Sequence, residues 1–317
     1  MIGNRTRACY SVALLAWNSR VSAFQSTTGN PILLQPLNAR SNRHFSLTSI
    51  LEMSAESTEA TVDVAANLDF VRQQLEATAK EAMRDPSSVR LVAVSKTKPL
   101  ELIKDAYEHG QRVFGENYVQ ELVEKAKTLG EEAEKNEKYR DLEWHFIGAL
   151  QSNKANLLVK SVVPFGKLTV ETVSSLKLAK KLDNAMDDET LQAGRDVGGS
   201  DGPKKLDVFV QVNTSGEESK SGVSPNEVAD LCQQISQDCS HLNVRGVMTI
   251  GAPGDVECLE KLASCREAAA NALGVSADLL ELSMGMSDDF EAAIRKGSTN
   301  VRVGSTIFGA RDYSNKK

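Results

Sequence analysis

The chain is 317 residues long and 41% hydrophobic, enough for one large core or two modest ones; the α/β barrel class uses about 250 residues for a single domain. Its net charge of -6 conceals an asymmetry. Residues 1–51 hold five arginines (Arg5, Arg7, Arg20, Arg40, Arg43), no lysine and no acidic residue, so without them the rest of the chain carries -11. An acidic body argues against nucleic acid as the main partner, because phosphate binding relies on clustered positive charge.

The first fifty residues, rich in serine and free of acids, have the composition of an organelle transit peptide. Tyr10–Trp17 also suits the short apolar core of a secretory signal, and Val21–Phe24 resembles the cleavage region of the bipartite presequences of algae with secondary plastids. Mitochondrion and plastid both stay open. The plain alternative for residues 1–52 is a disordered extension, and Met53 offers a second start that would leave the protein cytoplasmic. No apolar run reaches the ~20 residues a spanning helix needs, so no membrane is expected.

From Asn67 the pattern turns helical, with Leu68, Val71, Leu75 and Ala79 on one face until Asp85-Pro86 ends it. Leu91–Ser95 is a buried strand that delivers Lys96, and Pro99 opens a helix that stops at Gly110. Arg112–Asn117 is a short second strand and Tyr118–Leu129 a helix; the charged run Gly130–Arg140 is read as a solvated helix face or loop. Trp144–Ile147 makes a third strand, Ser152–Leu158 a short helix, Ser161–Phe165 a fourth strand and Thr172–Met186 a helix. Asp187–Lys205, polar and glycine-rich, reads as a surface insertion. Leu206–Val212 is a fifth strand, and Ser224-Pro-Asn-Glu227 is a capping box with proline at the first helical position. Val244–Ile250, Glu281–Met284 and Asn300–Val303 complete eight strands, separated by helices over Val256–Leu273 and from Ser287 to Gly297, with a last short helix after Gly304. Strands alternating with helices in this number predict a single (β/α)8 TIM barrel over residues 67–313.

Functional groups in such a barrel sit at the carboxyl ends of strands, and a phosphate commonly binds after strands seven and eight. Ser283–Asp288 and Arg302–Thr306 each offer glycine amides and hydroxyls at a helix start, where anions bind, although helix caps use the same residues for structural ends. A lysine at the end of the first strand adds an amine that burial would help to deprotonate, and a neutral amine condenses with an aldehyde. An aldehyde cofactor bearing a phosphate would join all three. The five cysteines form no CxxC pair and point to a reduced compartment, and His44, His109, His145 and His241 have no metal-binding spacing.

Ala93–Pro99, Phe114–Tyr118, Trp144–Gly148 with Leu150–Lys154, Gln211-Val-Asn213 with Lys220-Ser-Gly222, Leu282–Ser287 and Gly297–Gly304 together resemble the pyridoxal phosphate homeostasis protein family. The resemblance runs from about Asn67 to Arg311 in the expected order; the presequence and the longer Asp187–Lys205 linker depart from it without touching a matched motif. It implies a single barrel like the amino-terminal domain of alanine racemase, binding pyridoxal 5'-phosphate (PLP) as a Schiff base on Lys96. By the same resemblance Ser287, Gly304 and Ser305, with Thr306, hold the phosphate, Asn117 lies beside the ring, and Arg302 faces the pyridine nitrogen. A guanidinium only donates, so it favours an unprotonated ring nitrogen, a weaker electron sink.

The racemase relatives add a second domain with another acid/base group, and with only six residues after Arg311 no such domain is expected here. Tyr118, His145 and Lys154 are the nearest proton-transfer candidates; stacking, strand packing and helix-end solvation are their plainer roles. The resemblance therefore implies a monomeric carrier and regulator of PLP that supplies apoenzymes and steadies vitamin B6 pools, with weak racemase-like activity at most. The competing readings are a racemase, a cofactor-free class I aldolase using the same lysine and, as the residual, a purely structural barrel.

Overall fold

The computed structural model describes residues 62–189, 191, 205–217, 220–252 and 254–310. Within them the strands are β1 (Arg90–Val94), β2 (Val113–Glu116), β3 (Glu143–Phe146), β4 (Lys167–Val173), β5 (Leu206–Gln211), β6 (Leu242–Met248), β7 (Glu281–Met286) and β8 (Asn300–Val303). Each pairs in parallel with the next, and β8 returns to β1 with Val301 opposite Leu91 and Arg302 opposite Val92. Closure leaves no unpaired sheet edge among the described strands. The helices are α1 (Val64–Glu81), which precedes β1, then α2 (Leu100–Glu108), α3 (Val119–Asn136), α4 (Ala155–Val162), α5 (Leu176–Met186), α6 (Val228–Asp238), α7 (Val256–Leu273), α8 (Phe290–Arg295) and α9 (Ser305–Phe308).

Strand alternation sorts the side chains into two layers. Ala93, Phe114, Trp144 and Val170 join the apolar shell between strands and helices. Val92, Val94 and Ile147 converge instead on Gly115 from inside the barrel, where an added Cβ would meet all three at 3.1 to 3.2 Å. That crowding calls for glycine. In α1, Asp63 caps the first turn by accepting from the Ala66 amide, and Leu68, Val71, Leu75 and Ala79 are buried as the periodicity predicts. The Asn67 side chain donates to the Ile307 carbonyl at 2.9 Å, so the leading helix is tied to the last one. At the amino-terminal end of the barrel, Arg245 bridges Glu281 at 2.6 Å and Asp207 at 2.7 Å.

Two expected elements are corrected. Ser161–Phe165 is not a strand: Leu158, Val159 and Val162 form the buried face of α4, and the fourth strand is Lys167–Val173. A short apolar run such as Ser161-Val-Val reads equally well as strand or buried helix, and here the spacing of Leu158 and Val162 decides for helix. The segment Thr172–Ser175 accordingly ends β4 and precedes α5 rather than belonging to it. The charged run from Gly130 is also partly buried, because α3 continues to Asn136 with Gly130 and Ala133 facing the core. Phe165 covers Gly130 so closely that a Cβ there would lie 2.4 Å from its ring. The capping box at Ser224–Glu227 forms as expected, opening a 3-10 turn that leads into α6. Residues 1–52 and most of Asp187–Lys205 lie outside the described residues.

Candidate functional site

Lys96 leaves the end of β1 and enters a cavity of about 250 Å³, also lined by Met286, Ser287, Arg302, Gly304 and Ser305. The loops beyond β7 and β8 meet there: the Gly304 amide donates to Ser287 Oγ at 3.2 Å. Gly285, near the end of β7, lets the chain turn towards the first loop, since its φ is +95° and an added Cβ would lie 2.5 Å from Ala293 Cβ. The barrel thus gathers an amine, a guanidinium, hydroxyls and glycine backbone around one opening.

Arg302 is buried, with its guanidinium fixed by two donations, Nη1 to Ser283 Oγ at 2.6 Å and Nη2 to the Thr249 carbonyl at 2.7 Å. Burial pulls its pKa down against the attraction of Glu171 and Asp289, yet an arginine stays charged and donates. Behind it runs a buried chain. Ser283 Oγ donates to Glu171 Oε2, Glu171 Oε1 bonds His145 Nδ1, and His145 Nε2 lies 3.2 Å from Glu143 Oε1. Lys167 Nζ, 3.0 Å from Glu143, closes the chain. Burial opposes charge on His145, but its hydrogen bonds to Glu143 and Glu171 outweigh that and raise its pKa above the ordinary imidazole value. The carboxyl of Glu171 is held below the usual range although burial acts against it, by its bond to His145 and the charges of His145 and Arg302.

Asn117 stands at the end of β2, and its Oδ1 is buried without a hydrogen-bond partner among the described residues. Thr306 follows Ser305 inside α9. Tyr118 caps α3 with its side chain largely exposed, Lys154 ends a 3-10 turn, and His145 points into the barrel interior rather than packing among the helices. Glu171, Lys125 and Glu116 escaped the sequence reading. Their signal is charge inside apolar strand or helix patterns, as in Leu168-Thr-Val-Glu-Thr-Val173.

A closed parallel barrel with a lysine beyond β1 and joined serine–glycine loops beyond β7 and β8 defines the alanine racemase type of barrel, and the family model "Alanine racemase, N-terminal domain" matches residues 66–312. The human pyridoxal phosphate homeostasis protein is 43% identical over 274 residues, spanning 83% of this chain and 92% of the human one. The protein of that name from Pasteurella multocida (strain Pm70) is 43% identical over 253 residues, spanning 78% and 97%. The solved structure of PipY from Synechococcus elongatus PCC7942 with PLP bound superposes with a TM-score of 0.58 at 32% identity, covering 78% of this chain and 100% of PipY. The chain belongs to the pyridoxal phosphate homeostasis protein family. Among the described residues no helix is long and apolar enough to cross a membrane, and no group of three or more His, Cys, Asp or Glu side chains is placed to hold a metal ion.

Proposed function

We propose that this protein holds PLP covalently on Lys96 and keeps the free pool of that reactive aldehyde in check, handing it to apoenzymes rather than turning over a substrate. One observation carries the reading: Lys96 and Arg302 line the same cavity as Ser287, Gly304 and Ser305. The donor set fits PLP group by group. The Lys96 amine would hold the aldehyde carbon, and the hydroxyls of Ser287, Ser305 and Thr306 with the amide end at Gly304 would take the phosphate. Asn117, whose buried Oδ1 has no hydrogen-bond partner among the described residues, would lie beside the ring. Arg302 offers the ring nitrogen only a donor.

Bound PLP supplies an electron-withdrawing conjugated ring, and a ring kept unprotonated by a guanidinium withdraws weakly, which suits storage better than carbanion chemistry. Relatives named pyridoxal phosphate homeostasis protein and the PLP-bound PipY structure support this reading. The protein acts as a monomeric barrel over residues 67–313. Residues 1–52 serve as a presequence for mitochondrion or plastid, and initiation at Met53 yields a cytoplasmic form; the acid-free, arginine-bearing composition supports that assignment.

Borohydride reduction followed by peptide mass mapping tests the proposal. A PLP-sized adduct on Lys96, absent from Lys96→Ala, is expected together with loss of the yellow colour. Colourless wild-type protein after incubation with PLP, or racemisation of alanine or serine at enzyme-like rates that Lys96→Ala abolishes, would overturn it.

A further inference from the structure

Both peptide neighbours of Lys96 are tied to α3 by a buried ionic knot that the chemistry above does not use. Lys125 Nζ directs its three donors to the Ser95 carbonyl at 2.9 Å, Glu116 Oε1 at 2.8 Å and Glu121 Oε1 at 2.6 Å. Ser95 Oγ donates to the same Glu116 oxygen at 2.6 Å, and the Thr97 amide donates to the same Glu121 oxygen at 2.6 Å. Residue 95 is held from one side of the lysine and residue 97 from the other.

Thr97 needs that grip. Its φ is +60°, a left-handed conformation that a β-branched side chain rarely adopts and that persists only where surrounding contacts impose it. Lys125 and Glu116 are both buried, so that part of the knot works away from water, where removing either partner leaves a charge without compensation, while the Glu121–Thr97 bond lies at the surface. A packing role alone would not require both flanking peptides of one residue to converge on one ammonium–carboxylate group.

We propose that Lys125 and Glu121, with Glu116 beneath them, are positioning residues for Lys96: they fix the peptide on each side of it and so aim its amine into the cavity. The inference rests on the reading that Lys96 condenses with PLP. Capture of an aldehyde by a flexible amine depends on how much of the time the amine stands in reach, and orientation of this kind changes rates by large factors. The knot therefore sets how fast the protein takes up its cofactor.

The experiment uses the full chain without cofactor and reads two quantities: hydrogen exchange at the Thr97 amide, and the rate at which the visible PLP band grows after mixing. Glu121 is partly exposed, so Glu121→Ala is expected to fold. It should speed Thr97 exchange and slow PLP capture, each by about tenfold or more, the rate effect expected of a misplaced reacting group. Glu121→Gln keeps an acceptor oxygen in place and should restore most of both. Lys125→Met should act in the same direction as Glu121→Ala. Wild-type capture rates in Glu121→Ala and Lys125→Met, with only a lower melting temperature, would overturn the positioning role. Failure of the wild-type protein to form the borohydride-fixed adduct would instead overturn the functional reading beneath it, while Thr97 exchange in Glu121→Ala still reports whether the brace exists.

Discussion

Arg302 donates to Ser283 Oγ at 2.6 Å, and this contact gives the barrel interior a direction. With one lone-pair site occupied by the guanidinium, Ser283 turns its own proton to Glu171, whose other oxygen bonds His145. Charge at the cavity is thereby coupled to charge at the opposite end of the barrel, through Glu143 to Lys167.

Ser283→Ala breaks that coupling at its narrowest point. Arg302 Nη1 and Glu171 Oε2 are 4.0 Å apart, too far for a direct hydrogen bond without movement. Leaving two buried groups without their bridge should cost about 1–3 kcal/mol. Urea unfolding would register the loss as a lower midpoint at unchanged slope; an unchanged midpoint would mean that the guanidinium and carboxylate close the gap themselves.

The same chain predicts a stability profile against pH. His145 has a raised folded pKa, so its contribution is complete below the unfolded value of about 6.5 and fades as pH rises through the folded one. Glu171 and Glu143 have lowered folded pKa values, so theirs is complete above about 4.3 and fades as pH falls. The network should stabilise most between those limits. Unfolding midpoints of His145→Gln should lack the decline on the alkaline side, and a wild-type decline retained in that variant would assign it elsewhere.

Gly148 holds the floor beneath Asn117. An added Cβ would lie 2.0 Å from the Asn117 carbonyl oxygen, a backbone atom that cannot swing aside. Gly148→Ala should therefore displace the end of β2, costing at least the 1–3 kcal/mol typical of overpacking, and weaken PLP retention. Thermal unfolding and equilibrium dialysis check the two effects, and normal retention would separate Asn117 from the ring.

Thr97→Gly should part stability from function. Glycine accepts the φ of +60° without steric cost, so global stability should hold or rise by up to about 1 kcal/mol. The looser chain should capture PLP more slowly. Equal or faster capture would mean that the strain at residue 97 serves no purpose in placing Lys96.

Much of the architecture can be read from residue spacing, and the misreadings follow the same logic. Val256–Leu273 is a helix with those bounds because its apolar positions repeat at helical period and Gly274 ends it with φ of +68°. Ser161-Val-Val was ambiguous because three apolar or small residues carry no period. Lys125 looks like any solvated helix lysine, since its partner Ser95 stands 30 positions away. Glu171 and Ser283 are separated by 112 positions, and nothing local to either announces the other.

The sequence alone determined that strands and helices alternate eightfold, that a lysine ends the first strand, and that hydroxyl- and glycine-bearing loops follow the last two, because period and turn chemistry are local properties of the chain. Only the tertiary structure decided that Gly304 reaches Ser287, that Arg302 answers to Glu171 and His145, and that Lys96 is held through both neighbours by α3. Those relationships depend on barrel closure and on burial, which strengthen charge interactions between residues far apart in the chain and have no signature in any short stretch of it.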